Sequence, residues 1–396
     1  MSRITIDYTS AIHQGAGIGR LTRELVRAFL ALDEARQHEI RLLVMGRPGA
    51  EVPITNLMRT ANLPMRTLRW NDRWLYRLWF KANVPLPVQR FSGPCDLYHA
   101  ADFVLPPLDK NTPSVVTVHD LSFERDPNSA PPRLIPFLKK VVPQSAQRAT
   151  HLIADSHATA QDLQTLYGID PAKITVIHSG VESRFMPFDE ESIIARRKRK
   201  YVQRHYQLGD APFILTVGTM QRRKNHLGLV RAFAKLIKRP RSVSNVICLV
   251  IAGGQGWLYD DVLAEVEKLN LTDRVKFIGF VEDGDLPHLY TLASAFAFPS
   301  FYEGFGLPPL EALACGVPVV TSNVSSLPEV VGDAALTIDP NDTDALADAL
   351  DKALHDDAWR AEARTRGLAR AHEFTWGRAA RQLLGVYRGV MRDVGR

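Results

Sequence analysis

The stretch "FILTVGTMQRRKNHLGLV", Phe213 to Val230, sets a β-rich run against a basic turn and the start of a helical pattern. Its first five residues read as the opening strand of an α/β unit, and a helix is expected to begin near His226. Arg222, Arg223 and Lys224 fall at the C-terminal end of that strand, the end that faces the ligand crevice in an open α/β sheet. Cations beside a helix N-terminus make an anion site suited to a diphosphate. A solvated basic loop is the other reading.

Working outward, "NVICLVIAGG", "RVKFIGFV", "AFAFPS", "VPVVTS" and "ALTID" repeat the strand signal downstream, with helical runs between them. Upstream, "RITIDY", "EIRLLVMG", "DLYHAAD", "SVVTVHDLSF", "THLIADS" and "KITVIHSG" do the same. Strands alternating with helical patterns specify an α/β chain with doubly wound parallel sheets. Two Rossmann-like domains facing an interdomain cleft account for both halves. The charged stretch "DEESIIARRKRKYVQRHYQLGD" has no strand signal and reads as the connection between them. The expected domains are 1–185 and 212–375, with a connection at 186–211. A closing amphipathic helix occupies 376–396, and its return to the N-terminal domain is one option.

Composition narrows the classes. With 396 residues, 45% of them hydrophobic and 23% charged, the chain is an ordinary globular protein too long for one small core. No window approaches the roughly 18 apolar residues of a membrane span, and "MSRITIDYTS" lacks a signal-peptide core. Cys95, Cys248 and Cys315 are scattered and odd in number, which argues for a reducing compartment without disulfides or a zinc cluster. A net charge of +6 suits anionic partners, among them phosphorylated metabolites, an acidic membrane surface or nucleic acid. No recognisable nucleic-acid reading element accompanies it.

Several motifs carry chemistry, each beside a plainer reading. Gly15, Gly17 and Gly19 lie between the first strand and first helix, either as a tight turn or as a ligand loop. Their G-x-G-x-G spacing departs from the dinucleotide fingerprint, which argues against a nicotinamide oxidoreductase. His119 ends the strand of "TVHD", as a structural hydrogen-bonding residue or one facing the crevice. "EDGD", Glu282 to Asp285, contains D-x-D, which some sugar transferases use for a metal; here Asp283 or Asp285 is expected to cap the next helix. In "RWNDRWLYRLWFK", Arg69 to Lys81, aromatics interleave with cations, as in a membrane interface or a core stripe. The run Arg196 to Lys200 reads as a solvated face, with anionic lipid the lesser alternative.

The stretch "SFYEGFGLPPLEAL", Ser300 to Leu313, sharpens the picture. Pro308 and Pro309 fit the first turn of a helix, which puts Glu311 at the end of that turn, where the helix dipole favours an acid. Glu303, outside the helix and just after a strand, is left unexplained by capping. "GFG" frees the backbone N–H groups of Phe305, Gly306 and Leu307 to approach a ligand.

Together with "GVPVVTSNVSSLPEVVGDAALTIDP", "VHDLSF", "VIHSGVE", "RRKN", "VIAGG" and "FIGFV", this stretch resembles the retaining glycosyltransferases of family 4, which have the GT-B fold. The resemblance spans essentially the whole chain and centres on the E-x7-E pair, Glu303 and Glu311. It implies an N-terminal acceptor domain and a C-terminal nucleotide-sugar donor domain. Glu311 is implied to bind the donor ribose, and Glu303 and His119 to face the donor sugar as catalytic residues. Arg223 and Lys224 would neutralise the diphosphate, with Phe305, Gly306 and Leu307 offering N–H groups, Phe280 and Val281 lining the base pocket, and Gly17 in the N-terminal loop. One departure stands out: Thr219 follows Gly218 where many members have arginine, so neutralisation leans on Arg223 and Lys224, with Arg222 as a helper. No metal or other cofactor is expected. The implied reaction is hexosyl transfer, with mannose or a related deoxyhexose from a GDP-sugar favoured over a UDP-hexose. The implied acceptor is a glycan or lipid-linked oligosaccharide of bacterial polysaccharide synthesis. The implied place is the cytoplasm, peripheral to the inner face of the membrane through the Arg69–Lys81 stretch. A non-catalytic nucleotide-sugar-binding or membrane-associated protein is the rival class.

Overall fold

A computed structural model describes every residue except 16, 47–64, 69–71, 127, 128, 130, 240–246, 255, 257–259, 395 and 396. It divides into two compact units. Unit 1 comprises Met1–Glu124, Pro132–Gly180 and Thr375–Arg396; unit 2 comprises Arg125–Pro131 and Val181–Phe374.

Unit 1 is built on seven strands: β1 (Arg3–Asp7), β2 (Glu39–Met45), β3 (Met65–Leu68), β4 (Leu97–Ala100), β5 (Ser114–Val118), β6 (His151–Ala154) and β7 (Ile174–Val176). They are all parallel, in the order β3-β2-β1-β4-β5-β6-β7. β4 and β5 are buried along their whole length, as strands covered by helices on both faces must be. The first long helix, α1 (Ile18–Leu30), buries Leu21, Leu25 and Phe29 at helical spacing.

Unit 2 holds β8 (Phe213–Val217), β9 (Cys248–Ala252), β10 (Val275–Gly279), β11 (Ala295–Phe298), β12 (Val319–Ser322) and β13 (Leu336–Ile338). Their order, β10-β9-β8-β11-β12-β13, is the 3-2-1-4-5-6 arrangement of a Rossmann sheet. The order reverses between β8 and β11, and ligands of such sheets bind beyond the strand ends at that point. β8 is therefore the strand on which the site depends.

Four helices of unit 2 bear on function: α2 (Ile193–His205), α3 (His226–Leu236), α4 (Leu286–Leu292) and α5 (Leu307–Ala314). The stretch read as a connection at 186–211 thus contains a helix, α2, which packs on α4 and buries Val202 completely. Ser192 starts it by accepting from the Ala195 N–H at 3.2 Å, a capping bond that the density of charge obscures in the sequence. The last helix, α6 (Trp376–Val394), lies in unit 1 against α1. Its Leu383, Leu384, Tyr387 and Val390 join Ile4, Ile6 and Phe29 in one core, and the Tyr387 hydroxyl meets His99 Nδ1 at 2.7 Å.

Among its described residues the aromatic–basic stretch is divided between core and surface. Leu75, Trp79 and Phe80 are buried, Trp79 Nε1 donates to the Leu86 carbonyl at 2.9 Å, and Tyr76 packs on Trp79, Phe80 and Phe137. Trp74 alone of its described aromatics is strongly exposed, at 66%; Arg69 and Trp70 lie outside the described residues. The three cysteines are free and buried.

Candidate active site

In unit 2 the turn after β8 and the loop after β11 meet at the switch point. Arg223 Nη1 lies 2.8 Å from one Glu303 carboxylate oxygen, and Lys224 Nζ lies 2.6 Å from the other. Lys224 Nζ also sits 4.6 Å from the centre of the Phe298 ring. Two backbone contacts fasten the segments: the Phe301 N–H donates to the Arg223 carbonyl at 2.8 Å, and Arg223 Nη1 donates to the Tyr302 carbonyl at 3.2 Å. Burial would raise the Glu303 pKa, but the two cations outweigh it and hold the carboxyl down at about 2. One carboxylate is thus held between two half-buried cations.

The surroundings hold this geometry. Asn225, in left-handed backbone at φ 54°, caps α3 by accepting from the Gly228 N–H at 3.1 Å and donates to the Pro340 carbonyl at 2.7 Å. Ser325 accepts from the Glu303 N–H at 3.0 Å, and the Ser326 hydroxyl reaches the carbonyls of Glu303 and Phe305. Gly306 precedes α5 at φ 121°, a conformation side-chain-bearing residues avoid, and a Cβ there would press on Leu327 at 3.0 Å. Leu307 is the first helical residue, so Glu311 stands in the second turn, one step beyond its expected place in the first. The Glu311 carboxylate is buried and accepts from the Tyr290 hydroxyl at 2.9 Å.

In unit 1, His119 follows β5 and is 4% exposed. Its Nδ1 lies 2.7 Å from an Asp155 carboxylate oxygen and its Nε2 lies 2.9 Å from the Ala101 carbonyl. Both partners can only accept, so both ring nitrogens carry protons and the ring is an imidazolium. Burial alone would lower its pKa. Asp155 foremost, then Asp102 and the Ala101 carbonyl, reverse this and raise it to about 9. A ring in that state has no lone pair with which to take a proton.

Residues 15–185 match the family pattern described as Glycosyltransferase Family 4, and residues 198–370 the one described as Glycosyl transferases group 1. Over 293 residues, 74% of this chain and 74% of the relative, the sequence is 37% identical to the O-antigen chain mannosyltransferase B of Escherichia coli. The chain belongs to glycosyltransferase family 4. This glycosyltransferase is also 35% identical over 299 residues to the D-inositol 3-phosphate glycosyltransferase of Actinosynnema mirum, covering 72% of this chain and 68% of that one. Among solved structures, Anabaena Alr3699/HepE in complex with UDP and glucose matches with a TM-score of 0.75 at 18% identity, over 98% of this chain and 100% of that one. Sucrose-phosphate synthase from Thermosynechococcus elongatus matches with a TM-score of 0.72 at 21% identity, over 99% and 100%. Both units are those of the GT-B fold.

The remaining expected residues of the glycosyltransferase part company. Phe280 is 60% exposed, whereas Val281 and Phe305 are buried in the unit 2 core, Phe305 against Phe374. Arg222 is exposed beside the cluster. Gly17 takes φ 57°, but Gly19 is the more constrained: a Cβ there would lie 2.3 Å from the Gln14 carbonyl oxygen. Arg23, wholly buried, ties the loop by donating to the carbonyls of Ala11, Gln14 and Gly15 at 2.6, 2.8 and 2.7 Å. Asp285 occupies the position before α4 without a side-chain capping bond. Its carboxylate turns instead to Lys198 and to the Tyr206 hydroxyl, while Asp283 lies near Arg184. Asp155, Tyr290, Arg23 and the serine pair are the functional supports that sequence reasoning missed. Only the serine pair carries a local signal, two hydroxyls just before a helix.

Proposed function

We propose that this glycosyltransferase moves mannose from GDP-mannose to the non-reducing end of a glycan or lipid-linked oligosaccharide in bacterial O-antigen synthesis. The observation that carries the reading is the Glu303–Arg223–Lys224 cluster at the β8–β11 switch point. The choice of mannose is supported by the likeness to the O-antigen chain mannosyltransferase B.

Cleaving the bond between the sugar's anomeric carbon and the diphosphate leaves negative charge on the leaving group. Arg223 and Lys224 are held where that charge develops, with Glu303 orienting them and facing the sugar. Glu311, oriented by Tyr290, receives the donor ribose hydroxyls. The acceptor hydroxyl attacks on the face the diphosphate leaves, its proton passes to a departing phosphate oxygen, and configuration is retained. His119 does not serve as a base, because both of its nitrogens are already committed. Arg223 and Lys224 supply the neutralising charge, so the reaction needs no metal.

The test combines a thermal-shift panel of GDP, UDP and ADP with transfer from GDP-mannose to a lipid-linked acceptor. Ligand binding to the folded state raises its stability as RT ln(1 + [L]/Kd). GDP is expected to shift the transition most, and mannose to be transferred. A shift with UDP alone would overturn the donor assignment, and no transfer from any sugar nucleotide would favour the non-catalytic reading.

A further inference from the structure

Helix α2 has two unlike halves. Lys198, Val202 and Tyr206, four residues apart, face the body of unit 2: Lys198 pairs with Asp285, Val202 is fully buried, and the Tyr206 hydroxyl donates to Asp285 at 3.1 Å. Arg199 stacks over the Phe188 ring at 4.6 Å. Helical periodicity gathers Ile193, Ile194, Arg196, Arg197, Lys200, Tyr201 and Arg204 on the opposite half, and all seven are exposed. Ile194 is 81% exposed and Ile193 60%, so two large apolar side chains are held in water beside the cations, while Tyr201, 48% exposed, stacks on His205 and meets Lys198 Nζ at 4.6 Å. Among the described residues, Arg196, Arg197, Lys200 and Arg204 form no ion pair, whereas Lys198 on the inner half does.

The charge of the whole chain converges on this helix. It carries six Lys and Arg and no acid; with those six set aside, the remaining 43 Lys and Arg balance the 43 Asp and Glu. A basic helix with exposed isoleucines and a tyrosine has the two ingredients of interfacial binding: cations for anionic headgroups and apolar side chains for the acyl boundary. We infer that the outer half of α2 is a docking face for an anionic phospholipid surface. The two isoleucines favour lipid over a nucleic-acid polyanion, which would meet the cations but offer the isoleucines nothing. In the stretch around Trp74, by contrast, Trp79 and Phe80 are buried and Tyr76 packs on them, so that Trp74 is the strongly exposed one of its described aromatics. Docking by α2 is independent of the donor and of any transfer.

The experiment is flotation of the full chain with phosphatidylcholine vesicles, with and without phosphatidylglycerol. The protein is expected to float only with the anionic vesicles, and less as salt rises. The triple variant R197Q/K200Q/R204Q is expected to lose affinity on the order of a hundredfold, from three cations near an anionic surface. I193S/I194S should lose roughly tenfold through its missing apolar burial, and W74A should match wild type. All seven side chains are exposed, and circular dichroism of each variant checks that the fold is retained. Failure of the wild type to float, or undiminished flotation of the triple variant, overturns the inference. Wild-type behaviour of I193S/I194S, or tighter triple-sensitive binding to duplex DNA than to vesicles, also overturns it and makes the helix a general polyanion contact.

Discussion

Each unit places a charged cluster at the C-terminal end of a parallel strand, and the two are built with opposite signs. In unit 2 a carboxylate, Glu303, is clamped between two cations, Arg223 and Lys224. In unit 1 a cation, His119, is held by the Asp155 carboxylate with Asp102 close enough to reinforce it. Burial opposes the charged form in both, and in both the partners win. The difference lies in which sign is in the majority. In unit 2 two cations hold one carboxylate, the balance that the proposed diphosphate role calls for, whereas in unit 1 carboxylates surround one cation and both His119 nitrogens are committed.

The sharpest way to break this contrast is to remove one of the two cations. Lys224→Ala should lower transfer about 100- to 1,000-fold, the usual cost of a lost donor to developing charge, and should also lower the thermal transition, because the buried Glu303 carboxylate keeps only Arg223. Steady-state rates and melting curves on one preparation check both halves. Next come the pH limbs, which run in opposite directions. His119, raised from 6.5 to about 9, contributes stability fully below pH 6.5 that is lost as pH climbs through 9. That contribution is on the order of 3 kcal/mol, and Asp155→Asn should abolish the alkaline limb in urea denaturation across pH. Glu303, lowered from 4.5 to about 2, contributes stability that is present above pH 4.5 and lost as pH falls toward 2. Glu303→Gln should flatten that acid limb and leave the alkaline one intact. A wild-type alkaline limb in D155N would show that His119 is not held charged by Asp155.

Smaller effects sharpen the assignment. Tyr290→Phe deletes the 2.9 Å bond to Glu311, worth about 1 kcal/mol, and should raise the donor KM several-fold while kcat stays near wild type. On the proposed role of Arg223 and Lys224 as counter-charge, adding a chelator should leave transfer unchanged; a strict requirement for Mn²⁺ or Mg²⁺ would reopen the D-x-D reading at Asp283 and Asp285.

The same contrast separates what the sequence reveals from what it hides. The strands of both sheets were legible because parallel strands covered on both faces read as unbroken apolar runs, as in "CLVIA" and "SVVTV". Strand β3, "MRTL", escaped notice because it is an edge strand with Arg66 and Thr67 exposed. Helix α2 was hidden by its own charge, since five consecutive cations mask the spacing of Lys198, Val202 and Tyr206. Glu303, Arg223 and Lys224 were readable because the chemistry of a strand end is local. Their supports were not: Asp155 lies 36 residues from His119, and Tyr290 lies 21 from Glu311, on separate elements brought together only by folding. The aromatic stripe leaves two readings open in the sequence, because a tryptophan beside arginines looks alike whether it faces lipid or packs as Trp79 does against Phe80.

Calorimetric titration of GDP and of guanosine into wild type and Lys224→Ala tests most directly that the unit 2 cluster grips the diphosphate. GDP affinity is predicted to fall at least about tenfold in the variant, as befits one charge-assisted contact, with guanosine affinity unchanged. Equal GDP affinity in the two proteins, or parallel losses for GDP and guanosine, would contradict it.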